Sequence, residues 1–328
     1  MIVRLVENEM LKIFRRRRFR VVLLILACLT ALVVFAQWKT RARETARQGT
    51  RQWTAETQRR ITGLQNRLRD PGLPPSMRRW MGFEVKRLQY SLDHGFDPNG
   101  LNGPIFCRNF INASSFLLVP LLVTLFASDL VSSELAEGTI KILLTRPVRR
   151  WKILAAKALA LFSCVTLTVF ACALFSYLIS GIAFGYRGWG SPVLSGFRFA
   201  SGAFDVSGVR EVPLWRDALH VYGLGWFAAL VVGCLALLLS VLFRTTAAAM
   251  GTMLASLIAG TILPRVAEGW DFSKYIFVTN LPLPDYFSGS PPPVDGMTLS
   301  FSVWNLAAWG AAALVVSFAV FTRKDIIA

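Results

Sequence analysis

Residues 21–38 read VVLLILACLTALVVFAQW and contain no Asp, Glu, Lys or Arg. As a helix this stretch reaches about 27 Å, close to the roughly 30 Å hydrocarbon core of a bilayer. In lipid every backbone amide must find a partner within its own segment, so an uncharged run of this length is expected to be helical. Residues 21–38 therefore predict a membrane span.

Further uncharged and mostly apolar runs follow along the chain, at residues 109–128, 158–186, 218–243, 245–264 and 296–322. The same reasoning applies to each of them. We therefore expect an all-α polytopic membrane protein with six transmembrane helices. The predicted spans are residues 20–38, 109–128, 153–181, 218–243, 245–264 and 301–322.

The composition agrees with this expectation. Of the 328 residues, 54% are hydrophobic and only 17% are charged, whereas about a quarter are charged in an ordinary soluble domain. The net charge of +17 comes from basic residues beside the apolar runs, where they suit lipid headgroups. We therefore expect membrane lipid, and no nucleic acid, as a partner.

The basic residues also predict an orientation. Residues 1–20 carry seven Lys or Arg against two Glu, which by the positive-inside rule places this end in the cytoplasm. Six spans return the C-terminus to the same side, so both termini are expected in the cytoplasm. We expect a multi-pass protein of the plasma membrane of a bacterium. Residues 39–108 must then be external, and they are long enough to escape the charge rule.

Two segments outside the spans have helical periodicity. In residues 1–18, Ile2, Val6, Met10 and Ile13 form one apolar face, which predicts a cytoplasmic interfacial helix. The rest, residues 19–328, is predicted to be one transmembrane domain. Within it, the 39–108 loop has two segments in which apolar residues recur at helical spacing, separated by a proline-rich turn at 71–75. This pattern predicts an external helical hairpin. The hairpin could be a lid over a pore or a stalk that packs on a second copy.

The chain contains none of the common catalytic motifs. Its only histidines, His94 and His220, are too far apart for a local metal motif, and no phosphate-binding loop occurs. We therefore predict no enzymatic activity, no catalytic or metal-binding residues and no cofactor in this chain. The uncharged spans also disfavour an ion-coupled transporter, which usually keeps charged residues in the membrane.

Residues 129–157, DLVSSELAEGTIKILLTRPVRRWKILAAK, follow the second span. The acidic residues come first, the basic residues come last, and Gly138-Thr139 and Pro147 predict two breaks. A short cytoplasmic helix between two turns is expected. Such a helix could pass force from a soluble partner to the membrane helices, or it could be an ordinary charged connector.

This segment resembles the first cytoplasmic loop of ABC-2 type transporter permeases. The resemblance rests on an acidic residue, a Glu, a Gly-Thr pair, Leu-Leu, Arg-Pro-Val, an Arg and a later Lys. The residues that carry it are Asp129, Glu134, Gly138, Thr139, Leu143, Leu144, Arg146, Pro147, Val148, Arg150 and Lys157. The ENEMLK stretch at 7–12 and the FTRKDI stretch at 321–326 are similar to the two ends of that family.

The resemblance implies a permease subunit of an ABC transporter, with export the expected direction. It implies two separate ABC ATPase subunits, which would bind the ATP and Mg²⁺, and a second permease copy or a homologous permease. The interfacial helix and the loop would form the ATPase dock. The expected coupling residues are Glu9, Lys12, Asp129, Glu134, Glu137, Gly138, Thr139, Lys141, Arg146, Pro147, Arg150 and Lys157.

One observation sets the chain apart from the compact members of that family, namely the long 39–108 loop, which leaves the substrate class open. The alternative function is a non-transporting membrane scaffold or sensor that recruits a partner through this hairpin. A P-loop ATPase encoded beside the chain would favour the transporter, whereas co-purification with only a kinase or peptidase would favour the scaffold.

Overall fold

The computed structural model describes residues 2–15, 17–48, 53–95, 97, 100, 102–139, 148–195, 198–200, 203–205, 209–266, 270–288, 290, 292, 294 and 296–323. Most of these residues are helical. The α-helices are α1 (Ile2–Arg15), α2 (Arg17–Gln48), α3 (Trp53–Leu68), α4 (Pro75–Asp93), α5 (Gly103–Ser114), α6 (Leu118–Ala127), α7 (Ser132–Ala136), α8 (Arg150–Phe184), α9 (Leu214–Leu242), α10 (Thr246–Val266), α11 (Asp285–Ser288) and α12 (Leu299–Arg323). Two 3₁₀ helices, Asp271–Tyr275 and Val278–Asn280, lie between α10 and α11.

Five stretches within this part of the chain are long and apolar enough to cross a membrane. They are Arg17–Arg43, Leu118–Ala136, Arg150–Phe184, Leu214–Leu242 and Leu299–Arg323. The predicted span at 245–264 corresponds to α10, whose described apolar part, Thr246–Ile262, is shorter. A mainly helical protein with several helices that are long and apolar enough to cross a membrane is therefore confirmed, and the sixth span stays a prediction.

The second predicted span is interrupted, contrary to the single helix expected over 109–128. Helix α5 ends at Ser114, and α6 begins at Leu118 after a turn. Pro120 has no backbone N–H and cannot donate to the carbonyl four residues earlier, so it breaks the helical ladder here. The Ser115 hydroxyl donates to the carbonyl of Asn112 at 2.9 Å, which supplies one backbone acceptor beside the break.

Helix α9 lies at the centre of the bundle and contacts α5, α6, α8, α10 and α12. Small residues on this helix and on a neighbouring helix allow helices to pack closely. A Cβ atom at Gly225 would lie 3.3 Å from the Cβ of Ser115, and one at Gly310 would lie 3.4 Å from Val231. Without a hydrophobic force between helices in lipid, such close packing contributes much of the association energy.

Aromatic rings join the first two helices to the bundle. Phe19 at the start of α2 is 1% exposed and contacts Phe14 of α1 edge to face, with the ring centroids 5.1 Å apart. It also contacts Phe126 of α6 at 5.8 Å. The two consecutive helices α1 and α2 and the distant helix α6 therefore meet at one side chain.

Helices α3 and α4 pack against each other across residues 69–74. Ile61 and Leu88 are buried in the seam between them. The Glu84 carboxylate, which is also buried, lies 3.1 Å from Arg60 and 2.9 Å from Arg87. This pairing fixes one helix against the other.

The connection between α8 and α9 contains short strands that the all-α prediction did not include. β1 (Pro192–Ser195) pairs antiparallel with β4 (Arg210–Pro213), and β2 (Arg198–Ala200) pairs with β3 (Ala203–Asp205). The glycine and aromatic content of this connection gave no clear period-2 alternation, so the pattern did not indicate strands. The pairs are local and leave the helical architecture unchanged.

Candidate functional site

A buried cluster of charges joins α1, α7 and α8. The Lys157 ammonium of α8 lies 2.9 Å from Glu9 of α1 and 2.8 Å from Glu134 of α7. It also donates to the carbonyl of Leu130 at 2.8 Å. The three N–H donors of the ammonium therefore have three acceptors, which allows the Lys157 side chain to be only 1% exposed.

Lys12 completes this cluster on the side facing solvent. Its ammonium lies 2.7 Å from Glu9 and 3.0 Å from Glu134, and its side chain is 45% exposed. Two carboxylates and two ammonium groups thus alternate. We call Glu9, Lys12, Glu134 and Lys157 the buried ion-pair cluster.

A second ion pair extends the connection to α2 and α10. Arg18 of α2 lies 2.8 Å from Asp129, which is 5% exposed. The same carboxylate accepts a hydrogen bond from the Thr246 hydroxyl of α10 at 3.1 Å, and Thr246 accepts one from Ser132 at 3.1 Å. The turn that precedes α7 is therefore held from two sides.

The beginning of α7 is held by α9. The Ser240 hydroxyl oxygen accepts hydrogen bonds from the backbone N–H of Val131 at 3.0 Å and of Ser132 at 2.9 Å. The first N–H groups of a helix have no partner inside the helix. A side chain from a neighbouring helix supplies one here, as an N-cap residue usually does within its own helix.

The ion pairs described here join each carboxylate to a cation. Glu9 and Glu134 contact Lys12 and Lys157, and Asp129 contacts Arg18. Buried charges persist only when they are paired. The two carboxylates and two ammonium groups of the ion-pair cluster therefore neutralise one another, as suits an internal brace.

The pKa values of two members reflect the pairing. Burial alone would raise the pKa of Glu9, but the neighbouring Lys157 and Lys12 outweigh it, so its pKa is lowered from the usual 4.5. Burial would lower the pKa of Lys12, yet Glu9 and Glu134 raise it above the usual 10.5. Both groups are therefore charged throughout the neutral range.

A cavity of about 30 Å³ lies beside the ion-pair cluster, between α1, α2 and residues 126–134. Its size suits one or two water molecules. The second carboxylate oxygen of Glu134, which lines this cavity, has no hydrogen-bond partner among the residues that the structure describes. The space is too small for a transported substrate.

The exposed part of the site comes directly after α7 in the chain. Helix α7 ends at Ala136, and Gly138 takes the left-handed conformation with φ of 68°, which Gly adopts without steric cost. Residues 136–139 are exposed, and the Thr139 hydroxyl reaches back to the carbonyl of Glu134 at 3.5 Å. The predicted break at Gly138-Thr139 thus coincides with an exposed turn beside a buried carboxylate.

The structure brings together some of the predicted coupling residues and not others. Glu9, Lys12, Glu134 and Lys157 meet directly, and Asp129 joins them through the turn before α7. Arg150 begins α8, about 10 Å along the helix from Lys157. Lys141, Arg146 and Pro147 lie outside the described residues.

The position of Glu9 in the helical repeat of α1 indicates that its side chain is buried. Glu9 falls three residues after Val6 and four before Ile13, so it shares the apolar face of α1. A carboxylate on such a face needs a buried cation. Arg18, Ser240 and Thr246 were missed, because a single Arg in the basic 15–20 run and hydroxyls in apolar helices have no distinguishing pattern.

This architecture defines the chain as a multi-pass helical membrane protein. A family model with the description "Protein of unknown function (DUF2705)" matches residues 85–327, and the chain belongs to this family. It is 27% identical over 332 residues to the uncharacterized protein YhcI of Bacillus subtilis (strain 168), with 98% of each chain covered. It is also 27% identical over 226 residues to the uncharacterized membrane protein YdbK of the same organism, covering 67% of this chain and 84% of YdbK.

Proposed function

We propose that this chain is the membrane-spanning permease subunit of an ABC transporter, which moves a substrate across the membrane, by export, with ATP hydrolysed by separate subunits. The observation that carries the proposal is the buried ion-pair cluster. It joins the N-terminal helix, the exposed connector and a long membrane helix into one mechanical unit. A soluble partner that moves the connector would therefore move all three.

The proposed orientation places this cluster on the cytoplasmic side. The basic residues around α1 and the start of α2 and α8 support it under the positive-inside rule. Six spans, with α10 as the fifth, then keep both termini inside. The α3 and α4 hairpin would be external, as the sequence predicts.

The proposed dock is the exposed turn 136–139, with Lys12 beside it. Glu137 is exposed there, whereas Glu9 and Glu134 are buried and would act by holding the turn in place. This chain would pair with a second permease copy or a homologous permease. Two ABC ATPase subunits would bind the dock. ATP and Mg²⁺ would be bound by the ATPases, because this sequence has no phosphate-binding loop.

The transmission step follows from the geometry of the braced unit. Closure of the ATPases would push α7, and the Lys157 contacts to Glu9 and Glu134 would pass that displacement to α8 and α1. Charged contacts of less than 3 Å resist separation, because each buried charge would lose its partner. The bundle would then alternate between two arrangements whose populations ATP binding shifts.

The test is co-purification of the affinity-tagged full chain from its native membrane in mild detergent. We expect a P-loop ATPase to be retained. The Glu137→Lys variant should retain at least about tenfold less ATPase, because like charges across an interface weaken binding. The control is Asp271→Lys, at an exposed carboxylate outside the proposed dock, which should retain the wild-type amount.

Two results would contradict the proposal. One is a folded chain, stable in its native membrane, that never retains a nucleotide-hydrolysing subunit. The other is equal retention by the Glu137→Lys and Asp271→Lys variants, which would remove the turn as the dock.

One observation supports the alternative of a scaffold or sensor. Near the start of α4, Met77 is 48% exposed and Trp80 is 43% exposed. Exposed aromatic and Met side chains are enriched in protein interfaces. Recovery of a partner through this hairpin, lost in a Trp80→Ala variant, without any ATPase would favour this function.

A further inference from the structure

Polar side chains of α5, α9 and α11 meet at the end of the bundle opposite the ion-pair cluster. The Arg108 side chain of α5 donates to Asp217 of α9 at 2.7 Å. One turn further along α5, Asn112 donates to Asp285 of α11 at 3.0 Å. Residues four apart lie on the same helix face, so both contacts belong to one group of side chains.

Two buried acceptors of this group have no donor. Asp217 is 2% exposed, and its second carboxylate oxygen has no hydrogen-bond partner in the part of the chain that the structure describes. The same holds for the amide oxygen of Asn112. Buried acceptors of this kind are normally satisfied, so two of them in one group point to a missing donor.

The charges of the group are unbalanced as well. Among the described residues, Arg108 forms an ion pair with Asp217 and acts on Asp285 only through its charge, so one guanidinium serves two carboxylates, in contrast to the balanced ion-pair cluster. Burial raises the pKa of Asp285 even though Asn112 and Arg108 act in the opposite direction. The ionised Asp285 is therefore incompletely stabilised by its protein neighbours.

We propose that Arg108, Asn112, Asp217 and Asp285 form a binding site for a primary ammonium group of a ligand. An ammonium brings a positive charge and three N–H donors with no acceptor, which matches a site with excess negative charge and unpaired oxygens. An anionic ligand would face two carboxylates. A divalent cation such as Ca²⁺ takes six or more oxygens, and the described residues contain no group of three or more metal-ligating side chains.

The neighbours of Asp285 favour an amine that carries a hydrocarbon body. Phe287, which is half-buried, stacks on the exposed His220 ring with the centroids 5.6 Å apart. An alkyl chain attached to the ammonium could lie along this apolar surface, in contact with the protein instead of water. The site does not depend on the proposed coupling to an ATPase, so binding is expected for the chain alone.

The experiment is isothermal titration calorimetry of the purified full chain in detergent micelles. The probes are n-hexylammonium and n-hexyltrimethylammonium, which share a charge and a chain but differ in N–H donors. We expect the primary amine to bind at least about tenfold more tightly, since charge-assisted hydrogen bonds are the stronger ones. Equal affinity for the two probes, or no binding of either, would overturn the proposal.

Variants separate the site from the general apolar surface. Asp285→Asn keeps the Arg108 pair with Asp217 and should weaken n-hexylammonium binding about tenfold, by the loss of a charged acceptor. Asn112→Leu removes an unpaired oxygen and should weaken it as well. Asp271→Asn, at an exposed carboxylate of a 3₁₀ helix, is the control. Affinities equal to this control in both site variants, each shown to unfold cooperatively on heating, would refute the assignment.

Discussion

Lys157 and Glu9, 148 residues apart in the sequence, form a 2.9 Å ion pair that is almost closed to solvent. The partners lie on the first helix and on a long membrane helix. Neither charge could remain buried alone, so each helix depends on the other for its position. The pair therefore fixes the N-terminal helix to the bundle.

Replacing Lys157 by Met should strongly destabilise the protein. The variant leaves Lys12 as the remaining cation for the two buried carboxylates of Glu9 and Glu134, so one buried negative charge loses its partner, which typically costs about 3–5 kcal/mol. Thermal unfolding in detergent, followed by circular dichroism, measures the loss. Lys12→Met is the matched comparison, because Lys12 contacts the same two carboxylates with a 45% exposed side chain, and it should cost about 1 kcal/mol or less. Equal losses in both variants would show that burial does not set the importance of the pair.

Ser240→Ala tests the support of α7. The variant removes the acceptor of two buried backbone N–H groups, those of Val131 and Ser132, and we expect a loss of about 1–3 kcal/mol. Hydrogen exchange at these two amides should also accelerate. Ser256→Ala is the control, since the half-buried Ser256 donates to the carbonyl of Thr252 in its own helix. Unchanged exchange at 131 and 132 would mean that Ser240 is not their acceptor in solution.

Asp285→Asn should raise the unfolding temperature at pH 7. Because burial raises the pKa of Asp285 above 3.8, its ionised form is disfavoured in the folded protein. Protonated Asp285 therefore stabilises the folded protein relative to ionised Asp285. This stabilisation is fully present below pH 3.8 and is lost as the pH rises through the pKa of Asp285 in the folded protein. Asn stays neutral, so its advantage should be present at pH 7 and should shrink towards pH 4.

The measurement is a pair of melting curves at pH 7 and at pH 4, with Asp271→Asn as the exposed control. A stability gain that persists undiminished at pH 4 would contradict the sign of the effect. A residue that lowers stability at neutral pH is also typical of a binding site, where function outweighs stability.

Parts of this fold could be predicted because the bilayer imposes a simple rule. The uncharged run 21–38 lies within the long helix α2, and the run 218–243 lies within α9 except for its last residue, since lipid leaves the backbone no other partners. The break in the second span had a readable cause in Pro120. Its effect was missed because an apolar run alone does not report where the hydrogen-bond ladder fails.

The candidate site was only partly predictable. The sequence placed Glu134 and Lys157 in one predicted coupling segment but did not predict their contact, and the helical spacing of Glu9 was a usable signal for burial. Contacts such as Asn112 with Asp285, 173 residues apart, come from helix packing and have no local pattern. The assignment of a role in coupling to an ATPase stays a prediction.

Gly138→Ala tests the exposed turn. Gly138 has φ of 68°, a conformation that costs an L residue on the order of 1 kcal/mol, so the variant should lose about this much stability although its Cβ would meet no atom within 4 Å. Gly82→Ala is the matched control. Gly82 lies inside α4 with equally open space and no positive φ, so Ala should stabilise that helix by up to about 1 kcal/mol. Under the proposed function, Gly138→Ala should also reduce ATPase retention, because the strained turn would move Glu137, whereas Gly82→Ala should not. A Gly138→Ala variant as stable as Gly82→Ala would show that the left-handed turn is absent in solution.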